Sequence, residues 1–165
     1  MKVFGLAGWS GAGKTTLIEA LLADFIARDL RVSTLKHAHH SFDLDLPGKD
    51  SYRHRAAGAT EVMVASANRW ALIHELRGAP EPSFEELVAH MAPVDLLLVE
   101  GFKRHAHPKL EVHRPSLGKP PLWPEDPEIV AVASDGALAG LDRPRFALDD
   151  HRAIADFILR HVGLA

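Results

Sequence analysis

The 165-residue sequence predicts a three-layer α/β domain built on a mostly parallel sheet, and three observations carry that expectation. Short apolar runs alternate with segments of helical spacing along the chain. The run Leu96 to Glu100 is too continuously apolar for a half-exposed strand and reads as a central one, buried on both faces. A glycine-rich turn joins the first run to the first helix.

Taken in order, Lys2 to Ala7 is a strand, and Thr16 to Arg28 is a helix because Leu17, Leu21, Leu22, Phe25 and Ile26 recur at helical spacing. Arg31 to Lys36 is a second strand, and a polar loop runs from His37 to Lys49. Asp50 caps a short helix over Ser51 to Ala57, ended by Gly58. Glu61 to Ser66 and Trp70 to Glu75 flank Ala67-Asn68-Arg69 as a hairpin. Ser83 with Glu86 forms a capping box, and Pro93 stops the helix that follows. Ile129 to Ser134 is a second central strand, and a last helix after Asp149-Asp150 carries Ile154, Phe157, Ile158 and Val162 on one face. Pro115, Pro120, Pro121, Pro124 and Pro127 mark Arg114 to Glu128 as a loop with little regular structure.

Composition bounds the function. The length suits one domain, residues 1–165, with no linker or internal repeat. Nineteen basic against 22 acidic residues leave a net charge of −3, which argues against a general nucleic-acid binder. No apolar run approaches the roughly 20 residues of a membrane span, and the N-terminal stretch runs into a motif rather than a cleavage site. The absence of cysteine excludes disulfides, thiolate metal sites and cysteine nucleophiles, and fits a cytoplasmic location. The 11 histidines are the anomaly.

Gly8-Trp9-Ser10-Gly11-Ala12-Gly13-Lys14-Thr15 fits G-x-x-x-x-G-K-[ST] in full, with a strand before it and a helix after it. Glycines in such a P-loop let consecutive N–H groups turn inward around phosphate oxygens, and the helix aims its positive end at the same anion. Gly8, Ser10, Gly11, Ala12 and Gly13 are therefore expected to cradle a nucleoside triphosphate. Lys14 would reach the β and γ phosphates, Thr15 would ligate Mg2+, and Thr16 stands beside it as a further hydroxyl.

Ligands of open α/β sheets gather at the carboxyl ends of parallel strands. Asp95 and Glu100 stand at opposite ends of one strand, roughly 16 Å apart at ~3.3 Å per residue. Glu100 is thus the second metal-side residue and, with Lys14, the expected catalytic pair, while Asp95 reads as a solvated strand-start residue. Gly101 would allow a γ-phosphate or water to approach closely. The same rule selects Lys36 and His37 at the end of the second strand and Asp135 after Ser134. An aspartate there can accept from both N1–H and the N2 amine of guanine. The usual Asn-Lys-x-Asp tetrad is replaced by Val132-Ala133-Ser134-Asp135, and an ordinary Asp-Gly turn explains the residue equally well.

Two histidine groups, His37 with His39 and His40, and His105 with His107 and His113, fall beside the strand ends expected to face the nucleotide. His-x-His on an extended chain puts both rings on one face, which suits a metal, whereas Arg53, Arg55 or Lys103 suit phosphate contacts. A loose solvated loop is the plainer alternative.

Several segments together resemble the molybdopterin-guanine dinucleotide biosynthesis protein B family. They are Gly8 to Thr16, Lys36-His37 with His39-His40, Asp43-x-Asp45, Pro47-Gly48-Lys49-Asp50-Ser51-Tyr52, Arg55 with Ala57-Gly58-Ala59, and Glu100-Gly101-Phe102-Lys103. Pro108 to Val112 and the Asp149-Asp150 helix start are also similar. The resemblance implies a homodimeric GTP-binding protein with slow GTPase activity and Mg2+. Its partner would be the guanylyltransferase that joins GMP to molybdopterin, and molybdopterin itself would be a further ligand. Relatives in the wider group carry a lysine where this chain has Trp9, so a lysine donated across the dimer is not supported. Two other classes fit the residues: a small-molecule kinase with Arg53, Arg55 and Arg104 as a closing lid, and a metal-delivery GTPase using the histidines.

Overall fold

The computed structural model describes residues 1–38, 42–102 and 105–165, so His39, His40, Ser41, Lys103 and Arg104 lie outside the described residues. The chain divides into two compact units, Met1–His37 with Met91–Ala165, and Ala38–His90.

The first unit holds β1 (Lys2–Ala7), α1 (Lys14–Ala27), β2 (Val32–Lys36), β5 (Leu96–Glu100), β6 (Lys109–His113), β7 (Ile129–Ser134), β8 (Arg145–Phe146) and α4 (His151–Val162). The second holds α2 (Asp50–Ala56), the strands β3 (Glu61–Ala65) and β4 (Trp70–His74), and α3 (Phe84–Ala89). The six strands of the first unit form one sheet in the order β2-β5-β1-β6-β7-β8, with every pairing parallel. This is the mixed α/β architecture with a mostly parallel sheet that the alternation of runs and helices implies.

Period-two alternation sorts the strand residues between faces. Phe4, Leu6, Leu96, Leu98, Leu110 and Val112 are fully buried and share one core with Leu17, Leu21 and Phe25 of α1 and Ile154, Ala155 and Ile158 of α4. At about 1.5–3 kcal/mol per fully buried large side chain, this layer carries most of the unit's hydrophobic stabilisation. The last helix begins after Asp149-Asp150 as expected; Asp150 caps it, its side chain accepting from the Ala153 N–H, and Gly163 ends it in the left-handed region.

On the opposite face, over β6 and β7, the cover is not a helix. Ala7, Ile129 and Val132 pack there with Trp123, flanked by Leu122, Leu138 and Leu141. The proline-rich segment, expected to be little more than a loop, is thus a layer of the core, and it contains one short 3-10 turn, Pro115–Leu117.

β6 is a strand that the apolar pattern does not announce. Lys109, Leu110, Glu111, Val112 and His113 are all buried, and the strand lies at the centre of the sheet between β1 and β7. Lys-Leu-Glu-Val-His alternates like a half-exposed strand, yet its polar face is covered and internally paired. The Lys109 ammonium donates to the His105 carbonyl at 2.7 Å and lies 3.4 Å from Asp126. The Glu111 carboxylate accepts from the backbone N–H groups of Leu122 and Trp123 at 2.9–3.0 Å. The two-residue β8 was also not anticipated.

In the second unit β3 and β4 form the expected antiparallel hairpin. The capping box of α3 is present in both directions, with Ser83 accepting from the Glu86 N–H and Glu86 accepting from the Ser83 N–H.

Candidate nucleotide-binding site

The P-loop leaves β1 where close packing admits only glycine: a Cβ on Gly8 would fall 2.4 Å from the Val112 carbonyl oxygen of β6. Gly8, Gly11 and Gly13 all take positive φ, the backbone conformation with which such a loop can turn N–H groups inward. Gly13 stands in the left-handed region at the start of α1 and Ala12 is buried, whereas Ser10, Thr15 and Thr16 are exposed. The Lys14 ammonium arches back over the loop to the carbonyls of Gly8 at 3.0 Å and Trp9 at 3.1 Å.

Parallel register brings the expected acid to this loop. Leu6 of β1 pairs with Glu100 of β5, and Lys36 of β2 pairs with the same residue. Glu100 is therefore at the carboxyl edge, two residues from Gly8 in register, with the Lys36 ammonium 3.5 Å from its carboxylate. His37 follows, its N–H bonded to the Glu100 carbonyl at 2.9 Å and its ring 4.9 Å from that of Phe102. Gly101 lies so close that a Cβ would fall 2.9 Å from the His37 Cβ.

Asp95, at the opposite edge, is not merely solvated. It accepts from the Arg31 N–H at 2.8 Å and pairs with its guanidinium, contacts that hold its carboxyl below the usual range. It fastens the start of β2.

Asp135 follows β7 at the same edge as the P-loop, but its carboxylate is engaged: the Arg114 guanidinium lies 2.5 Å away and also donates to the Ala12 carbonyl at 2.9 Å. Arg114 is the residue that reading from the sequence missed. The proline-rich segment continues around the loop: Trp9 donates from its indole to the Pro120 carbonyl at 2.7 Å, and the Lys119 ammonium lies 5.8 Å from the Trp9 ring. Trp9 thus ties the P-loop to the proline-rich segment, a strap across this edge of the sheet.

Two expectations about the polar segments are corrected. His107 precedes β6, at the amino end of that strand, and is buried; His113 ends β6 at the carboxyl edge but is buried as well, its ring edge-on to Trp123. A Cβ on Gly5 would clash with the His107 ring, and burial, with help from Lys109 and His105, lowers the imidazole to about 4. His105 lies 3.1 Å from His107, nitrogen to nitrogen. Among the described residues no group of three His, Asp or Glu side chains is arranged to hold a metal ion. Arg55 is not a phosphate clamp either. Its guanidinium is paired with Asp43 at 2.8 Å, Asp45 at 3.4 Å and Glu75 at 2.7 Å, which removes it from the kinase-lid reading. Arg53 is exposed beside Asp50, and His39, His40, Lys103 and Arg104 fall outside the described residues.

A parallel sheet with a glycine-rich loop between β1 and α1, and an acid at the end of the neighbouring strand, defines the P-loop NTPase fold. Known proteins narrow this further. The family model for molybdopterin guanine dinucleotide synthesis protein B matches residues 3–135, and the chain belongs to that family. The molybdopterin-guanine dinucleotide biosynthesis adapter protein of Escherichia coli is 41% identical over 160 residues, 95% of this chain and 91% of that protein. Its counterpart in Haemophilus influenzae is 41% identical over 160 residues, covering 94% and 86%. The crystal structure of a MobB homologue from Bacillus stearothermophilus superposes with a TM-score of 0.75 at 27% identity, covering both chains in full. That of Bacillus subtilis MobB gives 0.76 at 25% identity, covering 98% of each.

Proposed function

We propose that this chain is a GTP-binding adapter of molybdopterin guanine dinucleotide synthesis. It takes up GTP with Mg2+, hydrolyses it slowly, and assists a partner guanylyltransferase that attaches GMP to molybdopterin. The observation that carries this is the meeting of the P-loop with Glu100 through the β1–β5 register, in a chain 41% identical to proteins named as adapters of that synthesis. The donor set suits its ligands. Inward N–H groups and the Lys14 ammonium match a polyphosphate, and the Thr15 hydroxyl with the Glu100 carboxylate would hold a hard cation such as Mg2+. Bound there, Mg2+ supplies neutralisation of the β and γ phosphate oxygens.

Nucleotide competition in calorimetry tests the reading: GTP displaces a bound guanine nucleotide, ATP does so far more weakly, and added molybdopterin changes the GTP isotherm. Equal competition by ATP would remove the GTP assignment.

The proposal includes a homodimer in the cytoplasm. Met63 and Trp70 are 63% and 66% exposed on one face of the β3–β4 hairpin, beside Leu72. A lone two-stranded ribbon is marginal in water, so a second copy covering this apolar face would complete it. Sedimentation equilibrium should show a dimer that Trp70→Glu weakens at least about tenfold, as expected for an aromatic interface anchor. A monomeric wild type would refute it.

A further inference from the structure

Strands β6 and β7 run in parallel with His113 opposite Ser134, so the first residues beyond them, Arg114 and Asp135, emerge side by side. Each also meets something else. The Arg114 Nε donates to the Ala12 carbonyl inside the P-loop at 2.9 Å, while its Nη1 holds Asp135 Oδ2 at 2.5 Å. Its Nη2 lies 3.5 Å from where a Cβ on Gly13 would stand. One planar guanidinium therefore spans the phosphate loop and the aspartate.

The turn that carries Asp135 is fixed from other sides as well. The Gly136 N–H donates to Ser134 Oγ at 3.2 Å, and the Gly136 carbonyl accepts from Arg145 Nη1 at 2.8 Å. A Cβ on Gly136 would fall 2.8 Å from Pro115 Cγ, so the segment entering the strap packs directly on the turn. An ordinary surface Asp-Gly turn requires none of these supports. They are what a preformed recognition element requires, since an aspartate free to sample its rotamers loses affinity in becoming ordered.

We infer that Arg114 is the positioning residue of the base-reading site: it holds the Asp135 carboxylate toward the N1–H and N2 amine of guanine and couples that orientation to the phosphate loop. The inference rests on the GTP assignment above and deepens it. Asp135 has capacity for both partners, because a carboxylate offers about four lone-pair sites and the arginine takes one. A carboxylate only accepts, which suits a base edge presenting two donors and disfavours adenine. The missing Asn-Lys of the usual tetrad is thereby offset by support arriving from the neighbouring strand. Lysine is a poor replacement for Arg114, since its donors share one nitrogen, whereas Arg114 serves Ala12 from Nε and Asp135 from Nη1, two atoms held apart in a rigid plane.

The test is equilibrium binding of GTP, ITP and ATP, with Mg2+, to the full chain as wild type, Arg114→Gln, Arg114→Lys and Asp135→Asn. Inosine lacks the 2-amine, so the GTP-to-ITP ratio isolates that contact from everything the phosphates contribute. Wild type should favour GTP over ITP by about tenfold or more, as a hydrogen bond to a charged group provides. Arg114→Gln and Arg114→Lys should each reduce the ratio to within about threefold, approaching Asp135→Asn. Equal losses of GTP and ITP affinity in the Arg114 variants, with the ratio intact, would make Arg114 a prop of the phosphate loop and overturn the inference. Full retention by Arg114→Lys would overturn the bridging geometry, and that variant still decides the matter if the Gln variant does not fold. A wild-type ratio near one, or no effect of Asp135→Asn, would instead overturn the guanine reading, which the wild-type and Asp135 measurements detect without reference to Arg114.

Discussion

Lys14→Ala is expected to lower GTP affinity by roughly 100-fold or more in titration calorimetry, the loss of charge-assisted bonds to two phosphates. The ammonium is already aimed at the cradle. Its hydrogen bonds to the Gly8 and Trp9 carbonyls set it over the loop, so binding phosphate exchanges those acceptors without moving the helix that carries it. The variant should fold normally, and a thermal midpoint close to wild type separates lost chemistry from lost structure. Glu100→Ala should behave differently. Its carboxylate is expected to meet the cation rather than the phosphates, so nucleotide binding persists while Mg2+-dependent phosphate release disappears. Undiminished GTP affinity in Lys14→Ala would dismiss the P-loop as the binding element; a wild-type release rate in Glu100→Ala would dismiss only the metal assignment.

How much of this site could be read from residues alone depended on whether the relevant partner was near in sequence. The P-loop is contiguous, and its strand and helix flanks are written in the apolar pattern beside it, so Gly8 to Thr15 and both neighbouring elements were legible. Glu100 was legible for a similar reason: an uninterrupted Leu-Leu-Leu-Val run marks a central parallel strand, and an acid at its end must reach the carboxyl edge. β6 was not, because Lys109, Glu111 and His113 look solvated until their partners at Leu122, Trp123 and Asp126 are known, and those sit in a segment whose prolines suggest only a loop. Arg114 was missed because its meeting with Asp135, 21 residues away, follows from β6–β7 register. Arg55 was misread for the converse reason. A guanidinium in a polar segment suggested phosphate, whereas Asp43 and Glu75, 12 and 20 residues away, had already taken it.

The buried polar face of β6 makes Glu111→Ala the most damaging single change expected for stability. Glu111 is fully buried, and its carboxylate is the acceptor for two consecutive backbone N–H groups, those of Leu122 and Trp123. Truncation leaves the buried Trp123 N–H and the half-buried Leu122 N–H without their acceptor and opens a void beside them, a combined cost of about 3–5 kcal/mol. At about 2–4 °C per kcal/mol for a chain of this size, the thermal midpoint should fall by roughly 6 °C or more. The exposed Glu19→Ala serves as the control and should stay within about 0.5 kcal/mol. The loss should reach the nucleotide site too. The same strap supplies the Pro120 carbonyl that holds the Trp9 indole, so GTP affinity should drop several-fold although Glu111 touches no ligand. Acidity gives a second, independent readout. Burial raises the Glu111 carboxyl above its ordinary 4.5, so the native state holds this proton more tightly than the unfolded chain does. Its contribution to stability is then complete below the unfolded value and is lost as pH rises through the folded one. The amide of Glu111→Gln does not titrate, so its stability deficit relative to wild type should be largest near pH 4 and narrow toward pH 7. A deficit that widens with pH would mean that the backbone donors, and not burial, govern this carboxylate.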